Sequence, residues 1–144
     1  MKPTLKPAVV FVLLAALAGP AFCADDREKA AADVAANWLA LVDSGQYAES
    51  WFQAASAFRN AVSKEQWKSA LDSTRAPLGK VVSRTLKSAT YVTRLPNAPA
   101  GEYEVLQYDT TFQNAGGMIE TVTPMLEKNG QWKVSGYYVK RAGQ

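Results

Sequence analysis

MIETVTPMLEKNGQWKVSGYYVKR, from Met118 to Arg141, decides the architecture of this chain. Two runs rich in β-branched and aromatic residues, Met118 to Lys128 and Gln131 to Arg141, flank Asn129-Gly130. Both central positions of the tightest hairpin turn need positive φ, which Asn and Gly tolerate best. The two runs are therefore expected to form antiparallel strands. Pro124 inside the first of them has no N–H to give to a ladder, which predicts an edge position or a bulge, and a bulge would bend the sheet.

Upstream, Val81 to Arg94 and Glu102 to Gln113 carry the same strand-forming residue types. The short connections Asn97 to Gly101 and Asn114 to Gly117 make the whole a four-stranded meander, with Gly116-Gly117 read as part of a turn. Leu106, Tyr108, Thr110 and Phe112 share one strand face. Gln107, Asp109, Thr111 and Gln113 share the other, together with Tyr103. The apolar set should meet the rest of the protein, leaving Asp109 to solvent and the mixed outer face as a surface on which two copies could pair.

Before Pro77 and Gly79 the periodicity is helical. Ala30, Val34, Trp38, Leu39 and Val42 recur at three- and four-residue spacing in a first helix from Asp26 to Leu41, stopped by Asp43-Ser44-Gly45. A second helix from about Gln46 places Tyr47, Trp51, Ala54, Ala55 and Phe58 on one stripe. Ser63 with Gln66 makes a capping box for a third, Lys64 to Thr74, burying Trp67 and Leu71. The expected fold is α+β: three N-terminal helices packed on a bent four-stranded antiparallel meander that closes as a cone around a pocket.

At the other end of the chain, Lys2 and Lys6 precede an apolar run from Ala8 to Ala18, and Gly19-Pro20 breaks it before Ala21-Phe22-Cys23. This is the three-part form of a secretory signal peptide. The run is short of the roughly 20 apolar residues a permanent span needs, and no second hydrophobic segment follows. Cleavage is expected between Cys23 and Ala24, so residues 1–23 are the signal and 24–144 a single domain in a periplasm or outside the cell. A lipid anchor on Cys23 is disfavoured by Phe22 and Pro20, which sit where lipid attachment prefers small and aliphatic residues. The mature domain then has no cysteine, because Cys23 is the chain's only one. Loss of Lys2 and Lys6 lowers the net charge of +3 to +1, which gives no attraction to nucleic acid.

Several short segments together carry a family likeness. They are Trp38-Leu39, Val42-Asp43, Gly45, Tyr47, Ser50-Trp51, Gln66-Trp67, Arg75 to Gly79 and Arg84 in the first half, and Gly101 to Tyr103, Phe112, Glu120 and Gly130 to Tyr138 in the second. In this combination the chain resembles an exported bacterial family of unknown function, domain of unknown function 4019. The resemblance implies the nuclear transport factor 2-like, or cystatin-like, cone fold and an exported setting, and it brings no catalytic residues.

The residues themselves bound the chemistry. With no histidine in the chain, imidazole bases and imidazole metal sites are excluded, and cysteine chemistry leaves with the signal peptide. No cofactor is implied. Arg84 lies between Val82 and Leu86, and Glu120 between Met118 and Val122, so both charges are set in apolar strand patterns. A charge held there is paired or lines a wet cavity. Arg84 and Glu120 are therefore expected inside the cone and in contact, with Tyr108 and Trp51 nearby, as a structural pair or as a ligand-binding set. Arg75 reads as a loop cation, solvated or at the pocket mouth. The resulting expectation is a non-catalytic ligand-binding or protein-interaction module whose partner is a small molecule or an envelope protein. Behind it stand a small enzyme using carboxylate and tyrosine acid–base chemistry and a passive envelope component.

Overall fold

In the computed structural model residues 23–144 are described; residues 1–22, which hold nearly all of the expected export signal, lie outside them. Helix α1, Ala24–Asp43, ends where Gly45 turns to φ 75°. There the Gly45 N–H donates to Val42 O and the Gln46 N–H to Leu41 O, which closes the helix end with two of its own carbonyls. That closure fixes Asp43 as the last helical residue.

The expected second helix is divided in two, α2 at Tyr47–Gln53 and α3 at Ser56–Ala61. Ala54 is extended between them, and the Ala55 N–H donates to Val134 O on the last strand at 2.8 Å. A backbone bond to the sheet has displaced one helical turn, and the small side chains of Ala54 and Ala55, both fully buried, permit that approach. Helix α4, Lys64–Thr74, begins with the expected capping box: the Gln66 N–H donates to Ser63 Oγ and the Ser63 N–H to Gln66 Oε1. A single 3₁₀ turn, Ala76–Leu78, leads into the sheet.

Strands β1 (Val81–Val92), β2 (Tyr103–Phe112), β3 (Ala115–Leu126) and β4 (Trp132–Arg141) pair antiparallel in chain order. Pro124 sits on a bulge, as its missing N–H requires: Thr123 pairs with Gly136 and Pro124 with Val134, leaving Ser135 over. The β3–β4 turn departs from the expected geometry, because only Gly130 has positive φ and Asn129 does not. The Gly130 N–H donates to Glu127 O and the Glu127 N–H to Gln131 O, so the loop has three residues, with glycine in the left-handed place. Gly116-Gly117 is not a turn either. Both residues lie within β3, where Gly117 with φ 60° accompanies a break in the β2–β3 register between Thr110 and Phe112.

The helices cover one sheet face, and Trp38, Leu39 and Val42 of α1 with Trp67 and Leu71 of α4 meet Leu106, Tyr108, Val122 and Val134. Removing such side chains from water is the main stabilising term, about 1.5–3 kcal/mol each. The other face is partly closed as well. The loop between β1 and β2 folds onto it, and Tyr103, buried there, donates its hydroxyl to Pro99 O at 2.6 Å.

Candidate functional site

Strand pairing sets Arg84 of β1 opposite Thr110 of β2, and Tyr108 of β2 opposite Glu120 of β3. All four side chains then face the helices. Arg84 Nε donates to Glu120 Oε1 at 2.8 Å and Nη2 to Oε2 at 3.2 Å, a two-pronged contact across the central strand. Glu120 is 0 % exposed and also accepts from Thr110 Oγ1 at 2.7 Å and Tyr137 OH at 2.6 Å. A carboxylate offers about four lone-pair sites. Four donors occupy them, so no acceptor position remains for a proton in transit or a ligand.

Besides Thr110, two residues that sequence reasoning did not assign to the site complete it. Asp43 accepts from Arg84 Nη1 at 2.7 Å and Nη2 at 2.9 Å, and from Arg75 Nη2 at 3.1 Å. A carboxylate at the last residue of a helix faces the negative end of the helix dipole, so it needs cationic neighbours. Here it has two. Arg75 is not a solvated loop residue: it caps α4, is 3 % exposed, donates Nη1 to Gly79 O at 2.7 Å and stacks its guanidinium on the Phe112 ring. Burial pushes the Asp43 carboxyl up, but the Arg84 and Arg75 guanidiniums outweigh it and hold it below the ordinary carboxylate value. Burial likewise opposes the charge on Arg84, yet Asp43 and Glu120 raise its pKa further.

Tyr137 is the other unassigned member. Burial first, and then the negative charge of Glu120, push its hydroxyl well above the ordinary phenol value, so it stays protonated as a donor. Tyr108 borders the pair, and burial raises its hydroxyl too. Trp51 does not join the group: its indole N–H donates to Val62 O at 2.7 Å and its ring meets Phe52 edge-on. The structure therefore brings together Arg84, Glu120 and Tyr108, adds Asp43, Arg75, Thr110 and Tyr137, and places Trp51 in a separate contact. Two guanidiniums and two carboxylates balance in charge, which makes the cluster a clasp joining α1, the end of α4, β1 and β3.

A concave space lies mostly apart from this cluster and shares only Tyr137 with it. A groove of about 930 Å³ crosses the outer sheet face, floored by Tyr103, Thr121 and Thr123, walled by Pro96 and Pro99 of the β1–β2 loop on one side and by α3 on the other. None of its lining residues is an aspartate, glutamate, lysine or arginine. Among the described residues two buried side-chain polar atoms lack a hydrogen-bond partner, Arg75 Nε in the clasp and Thr121 Oγ1 on the groove floor. No group of three or more acidic or cysteine side chains is arranged to hold a metal ion among the described residues, and no helix there is long and apolar enough to cross a membrane.

Fold and site together define an α+β domain with an ion-paired interior and an uncharged groove outside. The chain belongs to the family described as "Protein of unknown function (DUF4019)", whose model matches residues 34–137. That span runs from the middle of α1 to Tyr137, the hydroxyl that closes the clasp. No curated protein and no solved structure matches the chain.

Proposed function

We propose that this chain is a non-catalytic binding module whose working surface is the outer groove, while the Arg84–Glu120 cluster holds the domain together. The observation that carries the reading is the contrast between the two places. The interior carboxylate has every acceptor site filled, whereas the groove is concave, free of charged side chains and holds one buried hydroxyl, Thr121 Oγ1, without a partner. An acid–base enzyme needs a carboxylate within reach of its substrate. Glu120 is closed off, and Asp109, on the outer face of β2, is exposed with Lys87 3.5 Å away. The N-terminal sequence, with its two lysines, short apolar run and small residues before Ala24, supports a periplasmic or secreted setting for this activity.

Native mass spectrometry of the protein purified from its own compartment tests the reading. The expected spectrum shows a bound molecule or partner that is lost from an Ala61→Trp variant, in which an indole on α3 overhangs the groove. Equal retention by both forms would move the binding surface elsewhere. The same spectrum reads the N-terminus: a mass beginning at Ala24 is expected, and diacylglycerol on Cys23 would replace the soluble setting with an anchored one.

A further inference from the structure

We infer that the groove takes an uncharged amphipathic small molecule, held by apolar contact along the walls and by a hydrogen bond between a carbonyl or hydroxyl group of the ligand and Thr121. This rests on the groove being the working surface, and adds the class of ligand and the residue that selects it.

The first support is electrostatic. Moving an ion out of water is costly unless the site supplies an opposite charge, and the groove supplies none. The buried charges of the protein are committed to one another: Arg84 to Glu120 and Asp43, Arg75 to Asp43, and Arg27 to Glu104. A ligand that must shed its hydration in this groove is therefore favoured when it carries no net charge. The groove volume lies at the upper end of the range of about 300–1,000 Å³ found for small-molecule sites, which are mostly apolar with a few placed polar groups. Tyr103, Tyr138, Pro96 and Pro99 give it flat, stiff apolar surfaces, and Tyr138 is 52 % exposed, free for a ligand to cover.

The second support is Thr121. Its residue is 3 % exposed and its Oγ1 has no partner. The hydroxyl of Ser135, which also lines the groove, donates to Thr123 O, whereas that of Thr121 is the one buried hydroxyl among the described residues without a partner. A buried hydroxyl without a partner destabilises a fold, and valine would fill the same space without that cost. Its presence on the groove floor is accounted for when the groove is occupied by a molecule with a polar group at that depth.

The inference is tested with two fluorescent probes, Nile red, which is neutral and carries a carbonyl, and anilinonaphthalene sulfonate, which is anionic. Wild type is expected to bind Nile red more tightly than the anion, and Ala61→Trp to abolish the Nile red signal. Thr121→Val should weaken Nile red binding by about tenfold, the weight of one hydrogen bond, while Thr121→Ser retains it. Without probe, Thr121→Val should melt at or above the wild-type temperature, which separates lost binding from lost folding. If the anion binds as well as Nile red and Ala61→Trp blocks both, or if Thr121→Val binds Nile red normally, the groove remains the working surface and the ligand class proposed here is wrong. If no probe binds, or none responds to Ala61→Trp, the groove reading itself falls.

Discussion

Arg84 on β1 and Asp43 at the end of α1, 41 residues apart in the chain, are joined by two hydrogen bonds of 2.7 and 2.9 Å, one from each terminal guanidinium nitrogen. The same guanidinium grips Glu120 through Nε. One side chain thus ties a helix terminus to the buried centre of the sheet.

Removing it should reveal the asymmetry of buried ion pairs. Replacing a whole pair with apolar residues is often harmless, but deleting one partner leaves a charge without compensation, at a cost of about 3–5 kcal/mol. Glu120 is fully buried, while Arg84 and Asp43 keep 17 % and 27 % side-chain exposure, so the lower end applies. Arg84→Ala is expected to lose about 3 kcal/mol in urea unfolding. Lys68→Ala, which breaks the exposed Lys68–Asp72 pair, should lose less than about 1 kcal/mol. Equal losses would mean that the clasp is no more than a surface contact.

Ser50 is a second crossing point. It is fully buried, its carbonyl accepts the Trp38 indole N–H at 2.8 Å and its hydroxyl accepts that of Trp67 at 3.0 Å. Ser50→Ala keeps the backbone acceptor and strands the Trp67 donor, which should lower stability by about 1–3 kcal/mol. Trp67→Phe should cost less in the Ser50→Ala background than in wild type, since there the indole N–H has already lost its acceptor. A double-mutant cycle with no coupling would refute the shared role of Ser50.

The sequence made the element order, the meander, the Pro124 bulge, the α4 capping box and the Arg84–Glu120 contact legible, because each rests on local periodicity or on one residue with a single physical solution. What it hid follows from long-range backbone events. Val134 and Tyr137 both face the helices although they are three residues apart, because the bulge at Ser135 resets the alternation. A period of two puts Tyr137 on the wrong face, so the fourth donor to Glu120 could not be found. The division of the second helix depends on one bond from Ala55 to Val134, which no helical stripe reports. Asp43 left a faint signal: an acidic residue in the last turn of a helix runs against the dipole and asks for a cation. The four tryptophans divide similarly, with Trp38 and Trp67 buried in the core and Trp51 and Trp132 half-buried, although all four lie on apolar patterns.

The Tyr137 hydroxyl should matter apart from its ring. The ring packs against Trp38 and Trp67, with centroids 5.6 and 6.3 Å away, and Tyr137→Phe leaves those contacts in place. It removes a 2.6 Å bond to a buried carboxylate, a charge-assisted interaction worth about 1.5–3 kcal/mol. Tyr137→Phe should lose about that much in urea unfolding, with the near-ultraviolet aromatic signal retained. A loss below about 0.5 kcal/mol would show that Glu120 is satisfied without this donor.

Asp43 should give the domain an acid-sensitive component. Its carboxyl is held below the ordinary value in the folded state, because the guanidiniums of Arg84 and Arg75 outweigh burial. A group with a depressed folded pKa binds its proton more readily when unfolded, so the stability it contributes is complete above the unfolded value. That stability is lost as pH falls through the folded one. Glu127 adds a smaller effect of the same sign, since its carboxylate accepts the Ser56 backbone N–H and its pKa is lowered too. Stability should therefore be level near neutral pH and fall as pH drops below the ordinary carboxylate value of 3.8. Asp43→Asn should be less stable than wild type at neutral pH and should show a shallower decline on the acid side, so that the two curves converge. Urea midpoints measured at half-unit intervals from about pH 7 to pH 2 test this, and parallel curves would show that Asp43 is not the group whose protonation opens the clasp.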